Sequence, residues 1–518
     1  MSTQTYHFNL GLLFNHISKK YGERIAIVTE NDSFDYNYVN KLSNKIAHYI
    51  LSLKIKQYDT VAILNDKSVE AYSIMIACLK IGVTYTNLDP ESPRERFIKM
   101  KVTSNAKVLF HYDSTLKIIR TFLNKENIPI VDYRKLNEQN DLENYSDSLP
   151  VETNYIHSNT CAYIMFTSGS TGFPKGVAIS HQNVLNFINW SKNTYESDET
   201  DVFTNINPMH FDNSVFDFYS SLFTGASIIS VSHSLTKNPR RLLDYLNSKN
   251  PTIWFSVPSM LVYVLNMRAL KEKDLMTLRV VTFGGEGFPK NQLKKLWSFW
   301  GSRVTFINVY GPTECTCICS SYVVKPKDIE NDELLPLGFM APNFYGKVLN
   351  ENLEELRDGD IGELYIGGPN VGIGYYNNQT KTNEMFVSKQ INNSFREVIY
   401  KSGDLVKKNV NNGMFYFCGR KDNQIKRMGY RIELEEIENA LNTINFIEES
   451  AVIHINNERY KNKIFAYLRT GNKDENQIKA ELTNYIPAYM MPDDYFFVDH
   501  LPKNQNGKIN RLKLKENF

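Results

Sequence analysis

The run Thr167-Ser168-Gly169-Ser170-Thr171-Gly172-Phe173-Pro174-Lys175-Gly176 constrains this chain more than any other stretch. Its glycines free the backbone to turn N–H groups toward an anion, its hydroxyls donate further bonds, and Lys175 adds a mobile positive charge. The preceding Cys161-Ala162-Tyr163-Ile164-Met165-Phe166 reads as a buried strand, and a ligand loop at a strand end is the arrangement of an open α/β sheet. Phosphate suits such a loop, and ATP is the expected guest. The spacing is not that of a Walker loop, because Pro174 precedes the lysine and Gly176 follows it. An ordinary surface turn is the competing reading, since glycine, serine, threonine and proline are standard turn residues.

Around this loop the apolar pattern switches between periods. A helical pattern over 38–53 precedes the apolar run 60–64, and 251–257 and 278–283 read as further strands, the rhythm of a mostly parallel sheet. Residues 137–154 are polar and acidic and read as a surface connection. After Arg420 the texture changes. Leu434, Ile437, Leu441 and Ile444 fall at helical spacing, and a strand follows over 449–455, giving a small α+β unit. At 518 residues the chain exceeds what one core supports, so two or more domains are expected.

Lys+Arg 59 against Asp+Glu 57 gives no charge excess to draw a nucleic-acid partner. The N-terminus lacks the basic and apolar parts of a secretory signal, and no stretch is apolar enough to span a bilayer, so a soluble, cytoplasmic protein is expected. Six cysteines in this length make no disulfide framework. Cys315, Cys317 and Cys319 alternate, which puts three thiols on one face of a strand; a zinc site would need a second, distant pair.

Further segments follow the loop in a fixed order. They are Asn308-Val309-Tyr310-Gly311-Pro312-Thr313-Glu314, Gly362-Glu363-Leu364-Tyr365-Ile366-Gly367-Gly368, Tyr400-Lys401-Ser402-Gly403-Asp404-Leu405, Gly419-Arg420-Lys421-Asp422-Asn423-Gln424-Ile425-Lys426 and Asn506-Gly507-Lys508. Together they resemble the adenylate-forming (AMP-binding) superfamily, which includes adenylation domains of nonribosomal peptide synthetases, acyl-CoA synthetases and luciferases. The resemblance spans nearly the whole chain. It implies an α/β fold with a large N-terminal domain over 1–420, of mixed sheets and helices, and a small mobile α+β domain over 421–518, hinged near Asp422.

The same resemblance assigns roles. ATP would be held by Thr167, Ser168, Gly169, Ser170, Thr171, Gly172, Lys175, Asn308, Tyr310, Gly311, Asp404, Arg420 and Lys426. Within that set Tyr310 stacks on adenine, Asp404 accepts the ribose hydroxyls, and Arg420 adds a ribose or phosphate contact. Thr313, Glu314 and Lys508 are the implied catalytic residues: Thr313 donates to phosphate, Glu314 ligates Mg²⁺, and Lys508 bridges the substrate carboxylate and the ATP phosphates. The chemistry requires cations because a carboxylate must approach a polyphosphate. The family then rotates its small domain, exchanging the Lys508 loop for the Gly429-Tyr430-Arg431 region.

His210-Phe211-Asp212-Asn213-Ser214 resembles the Phe-Asp-x-Ser segment of amino-acid-activating members, where the aspartate meets the substrate's α-ammonium. An acidic group there repels a fatty or aryl acid and favours a zwitterion. An Asp capping the following helix is the alternative. By the same carry-over Asn213, Phe216, Phe255, Val281, Phe283, Gly284, Val309, Cys317 and Ile318 line the side-chain pocket with Asp212, which favours a small, apolar or stacking side chain. The sequence ends at Phe518, ten residues beyond Lys508, so the expected acceptor is the phosphopantetheine thiol of a separate carrier protein. Met428 to Glu438 looks like the corresponding part of ligases that charge carrier proteins with D-alanine. Two positions depart from the pattern, Ile373 and Met428, where relatives carry arginine, or arginine or asparagine. An acyl- or aryl-CoA synthetase, and a regulatory nucleotide-binding protein without catalysis, remain the rival readings.

Overall fold

The computed structural model describes residues 6–113, 128–138, 141–169, 172–331, 333–342, 344–392, 395–457, 459–503, 509–516 and 518. Ser170, Thr171 and Lys508, named above, lie outside the described residues.

The all-apolar strands are buried on both faces, as a sheet covered by helices requires. Thr60–Leu64 is buried throughout and pairs in parallel with Thr84–Leu88 and Ala106–His111. Cys161–Thr167 joins that sheet beside Thr84–Leu88 and pairs with the antiparallel strand Lys175–Ser180, to which the glycine-rich run leads. The loop is therefore a hairpin tip at a carboxyl strand end, where the sequence placed it. A second large sheet runs through Val202–Asn205, Ile253–Ser256, Val280–Gly284 and Thr305–Tyr310, all parallel, with antiparallel Ser320–Val323 beyond. The helical pattern near residue 38 forms Tyr36–Ser52, started by the Asp35 carboxylate on the Tyr38 N–H.

Helix Val69–Ile81, between the strands Thr60–Leu64 and Thr84–Leu88, is buried almost all round, so even Lys80 sits in the core. Its ammonium donates to Asn40 Oδ1, Ser43 Oγ and Asn44 Oδ1, each at 2.7 Å. Three acceptors from the helix Tyr36–Ser52 supply what water otherwise would. Burial still presses the Lys80 pKa well below its usual range.

Two expectations are corrected. Cys315, Cys317 and Cys319 do not share a strand face: Cys315 ends a short 3₁₀ turn, and Thr316 (φ 56°) and Cys317 (φ 73°) are left-handed, so the chain coils before Ser320–Val323 begins. All three are buried free thiols, and no metal-holding cluster occurs among the described residues. The acidic connection over 137–154 is not wholly superficial either, because 3₁₀ turns at Asp141–Asn144 and Val151–Tyr155 bury Leu142 and Thr153.

Beyond Phe415–Arg420 the chain makes the hairpin Gln424–Arg427/Tyr430–Glu433. Its two central residues, Met428 (φ 52°) and Gly429 (φ 81°), both have the positive φ that a tight type I′ turn requires. Helix Leu434–Leu441 follows, burying Leu434, Ile437 and Leu441 on its apolar stripe against the sheet of Ile447–Ile455, Lys463–Thr470 and Asp494–Phe497. This is the small α+β unit, packed over the carboxyl ends of the larger lobe's strands. Among the described residues no helix is long and apolar enough to cross a membrane.

Candidate active site

Strand ends from both large sheets converge on one cleft. Thr167 and Ser168 arrive from the hairpin; Val309, Gly311 and Thr313 from the end of Thr305–Tyr310; Phe255 from Ile253–Ser256; Asp212 and Asn213 from the start of Asn213–Leu222. Cys317, Ile318, Asp404, Arg420 and Lys426 complete the wall with Arg96, Gln424 and Arg431. Its volume is about 80 Å³, below the roughly 300–1,000 Å³ of ordinary ligand pockets. Gln424, Lys426, Gly429, Arg431 and Tyr489 of the small lobe supply part of its wall, so that lobe is docked on the cleft.

Arg431 carries the docking. Its Nη1 lies 2.8 and 3.1 Å from the two oxygens of Glu314, which is fully buried and also accepts from the Tyr375 hydroxyl at 2.7 Å. Burial would raise the Glu314 carboxyl, but Arg431 and Lys175 with the Tyr375 hydroxyl hold it at about 2. Ser168 Oγ donates to the Arg431 carbonyl at 2.8 Å. The tight turn is fixed as well: the Gly429 N–H donates to Glu286 at 3.2 Å, and a Cβ on Gly429 would come within 2.5 Å of Val257. Tyr430 stacks on Tyr489 at 3.8 Å and meets the edge of Phe211 at 5.0 Å.

Asp212 is not a helix cap. Its side chain makes no capping bond and its backbone is already helical, whereas its carboxylate accepts from Thr313 Oγ1 at 2.6 Å inside the cleft. Burial raises its pKa, an effect the Thr313 bond opposes. Across the cleft Asp404 accepts from the Tyr310 hydroxyl at 2.5 Å and from Arg420 at 2.8 Å, and Arg420 also grips Asp422 at 2.5 Å. Lys426 Nζ stands 5.7 Å above the Tyr310 ring, and burial lowers its pKa.

Other predicted residues do not line this cavity. Asn308 donates its amide to the Pro336 carbonyl. Phe216 is buried among Tyr195, Phe203 and Phe255. Val281 and Phe283 pack into a separate core with Trp254 and Leu293, because strand alternation turns them away from the face that Phe255 shares with its partner Thr282. Gly284 has no room for a Cβ, which would stand 2.4 Å from the Val309 carbonyl oxygen. Gly169, Gly172 and Lys175 face the small lobe, contacting Glu436, Asn439 and Glu433. Sequence reasoning missed Arg96, Glu286, Gln424 and Tyr489. Charged and aromatic side chains in surface-like patterns carry no local signal; the docked lobe alone gives them a site.

A glycine-rich hairpin, a buried Asp404–Arg420 pair and a docked small lobe meet in this one cleft. The AMP-binding enzyme family model matches residues 14–376 and its C-terminal domain model residues 436–508, and the chain belongs to this ATP-using, AMP-forming family. It is 30% identical to an L-proline–[L-prolyl-carrier protein] ligase of Pseudomonas fluorescens, over 96% of this chain and 97% of that one. A D-alanine–D-alanyl carrier protein ligase of Bacillus licheniformis is 32% identical over 96% and 98%. The fold matches the Vibrio cholerae adenylation domain AlmE, solved with glycyl-adenosine-5'-phosphate, at TM-score 0.83 and 21% identity over 100% and 99% of the chains.

Proposed function

We propose that this enzyme activates an amino acid as its adenylate, releasing pyrophosphate, and then passes it to the phosphopantetheine thiol of a carrier protein. One observation carries the amino-acid reading: the buried Asp212 carboxylate faces the cleft beside Thr313, where burial disfavours its charge until a cation comes to share it. An α-ammonium supplies that cation one carbon from the reacting carboxylate. Relatives named for L-proline and D-alanine carrier ligation support the same reading.

In the first step a substrate carboxylate oxygen bonds to the α-phosphorus and pyrophosphate leaves. Backbone N–H groups and Lys175 of the hairpin would hold the phosphates, Asp404 the ribose, and Lys508 the two anions together. Glu314 suits Mg²⁺: it is a buried carboxylate kept ionised, a hard oxygen donor. When bound, the ion would neutralise charge building on the phosphates. Glu314 spends both oxygens on Arg431 in the docked pose, so metal and arginine are alternatives there. In the second step the thiol attacks the acyl carbon and AMP leaves. A neighbouring cavity of about 390 Å³ shares Phe211, Asp212 and Gly429 with the cleft and gives a pantetheine arm a way in. Asp422, bound to Arg420, serves as the hinge between domains 1–420 and 421–518. Free thiols at all six cysteines and the need for ATP fit a cytoplasmic setting.

Amino-acid-dependent exchange of labelled pyrophosphate into ATP tests this, with Lys508→Ala as the dead control and chelation of Mg²⁺ as a second. Exchange driven by fatty or aryl acids instead would replace the reading with an acyl-CoA synthetase, and no exchange with any acid would leave a non-catalytic nucleotide binder. Within that assay Gly169→Ala is expected to raise the KM for ATP about tenfold or more. Its Cβ would stand 2.0 Å from the Phe173 carbonyl oxygen, so the hairpin must open. An unchanged ATP KM would separate the hairpin from the phosphates.

A further inference from the structure

A buried polar cluster underlies the segment that carries Asp212. Lys67 follows the strand Thr60–Leu64 and reaches from its sheet to the other, where its ammonium donates to the carbonyls of Asn205, Ile206 and Val231 at 2.7, 3.1 and 2.9 Å. Its backbone is left-handed (φ 64°), a conformation that strains a non-glycine residue and persists only where the surroundings impose it. Here they do. The Lys67 N–H donates to Asn65 Oδ1 at 2.8 Å, and the Lys67 carbonyl accepts from Ser230 Oγ at 2.7 Å. Asp217, fully buried on the helix Asn213–Leu222, supplies the opposite charge. Its Oδ2 accepts from the side-chain amides of Asn205 at 3.0 Å and Asn207 at 3.1 Å, and its Oδ1 has no hydrogen-bond partner among the described residues. Burial lowers the Lys67 pKa and raises that of Asp217, and each charge opposes the other's shift.

The cluster brackets one segment. Residues 205–212 run from the end of the strand Val202–Asn205 to Asp212, and Asp217 ties the start of that segment to the helix that follows it. Asn207 Nδ2 also donates to the Phe255 carbonyl at 3.0 Å, and Phe255 lines the cleft. At the far end Ser214 Oγ donates to the Phe211 carbonyl at 2.7 Å. The Thr313 bond orients the tip of Asp212, while this cluster fixes the backbone beneath it. Such support matters because a binding carboxylate has to be held to within about 0.5 Å of its working position.

We propose that Asp217 and Lys67 are positioning residues for the substrate's ammonium subsite: linked through Asn205, they set where the Asp212 carboxylate stands. The inference rests on the reading that Asp212 receives the α-ammonium. Asp217→Asn keeps the shape and removes the charge. In amino-acid-dependent pyrophosphate exchange it is expected to raise the amino-acid KM about tenfold, with the ATP KM within about twofold of wild type. The double variant Asp212→Asn/Asp217→Asn is expected to match Asp212→Asn alone, because no charge is then left to place. If Asp217→Asn fails to fold, Asn207→Ala takes its place in both comparisons; it cuts the link from Asp217 to Phe255 without touching a charge, and the same direction is expected. Effects that multiply in the double variant, an ATP KM that rises in step, or an unchanged amino-acid KM would each reduce the cluster to a structural role and overturn the proposal. A wild-type amino-acid KM in Asp212→Asn itself would sink the substrate reading and this inference with it. The inference falls alone if Asp212→Asn responds and Asp217→Asn does not.

Discussion

Glu314→Gln is expected to lower amino-acid-dependent pyrophosphate exchange by about 100- to 1,000-fold, the cost of losing one preorganised charge contact at a phosphoryl-transfer site. Two losses coincide in this one substitution. If Glu314 holds Mg²⁺ as proposed, the site loses a hard anionic donor for that ion. In the docked pose Arg431 and Lys175, both largely but not fully buried, lose the fully buried carboxylate that faces them. Removing one partner of a buried pair costs about 3–5 kcal/mol, so the docked pose should be destabilised as well as the chemistry slowed. The pH dependence has a fixed sign. The Glu314 carboxyl is depressed from 4.5 to about 2, so its contribution is complete above 4.5 and is lost as pH falls through about 2. The gap in unfolding midpoint between wild type and Glu314→Gln should therefore shrink on acidification across that window. A gap that widens there, or exchange within tenfold of wild type, would contradict the assignment.

Asp212→Ala should separate the two substrates. The KM for the amino acid is expected to rise by about 100-fold or more, as an α-ammonium loses a desolvated charge partner, while ATP affinity changes little. Thr313 complicates the comparison, because its hydroxyl donates to Asp212 and would be released. Asp212→Asn keeps that acceptor and removes only the charge, so it isolates the electrostatic part. Exchange kinetics with amino acid and ATP varied in turn provide the measurement. An unchanged amino-acid KM in both variants would refute the role given to Asp212.

How far the sequence reached differs by residue. The strands Cys161–Thr167, Thr60–Leu64 and Val280–Gly284, and the stripe Leu434, Ile437 and Leu441, were legible because glycine placement and apolar period act locally; the antiparallel return through Lys175–Ser180 was not. The strand drawn through Cys315, Cys317 and Cys319 failed because left-handed turns at Thr316 and Cys317 leave no mark on alternation. Val281 and Phe283 were set toward the pocket by position, but their facing followed from pairing with Trp254 and Ser256.

The order of glycine-rich, acidic and basic segments determined by itself the family to which this chain belongs, and through that resemblance it implied the proposed roles of the hairpin, Asp404, Glu314 and Asp212. Only tertiary structure decided which of these groups oppose one another. Arg431 meets Glu314 across 117 residues, and Glu436 reaches Gly169 across 267. Such contacts depend on how one lobe docks on another, and buried ion pairs gain their strength from that docking. No periodicity along the chain encodes it.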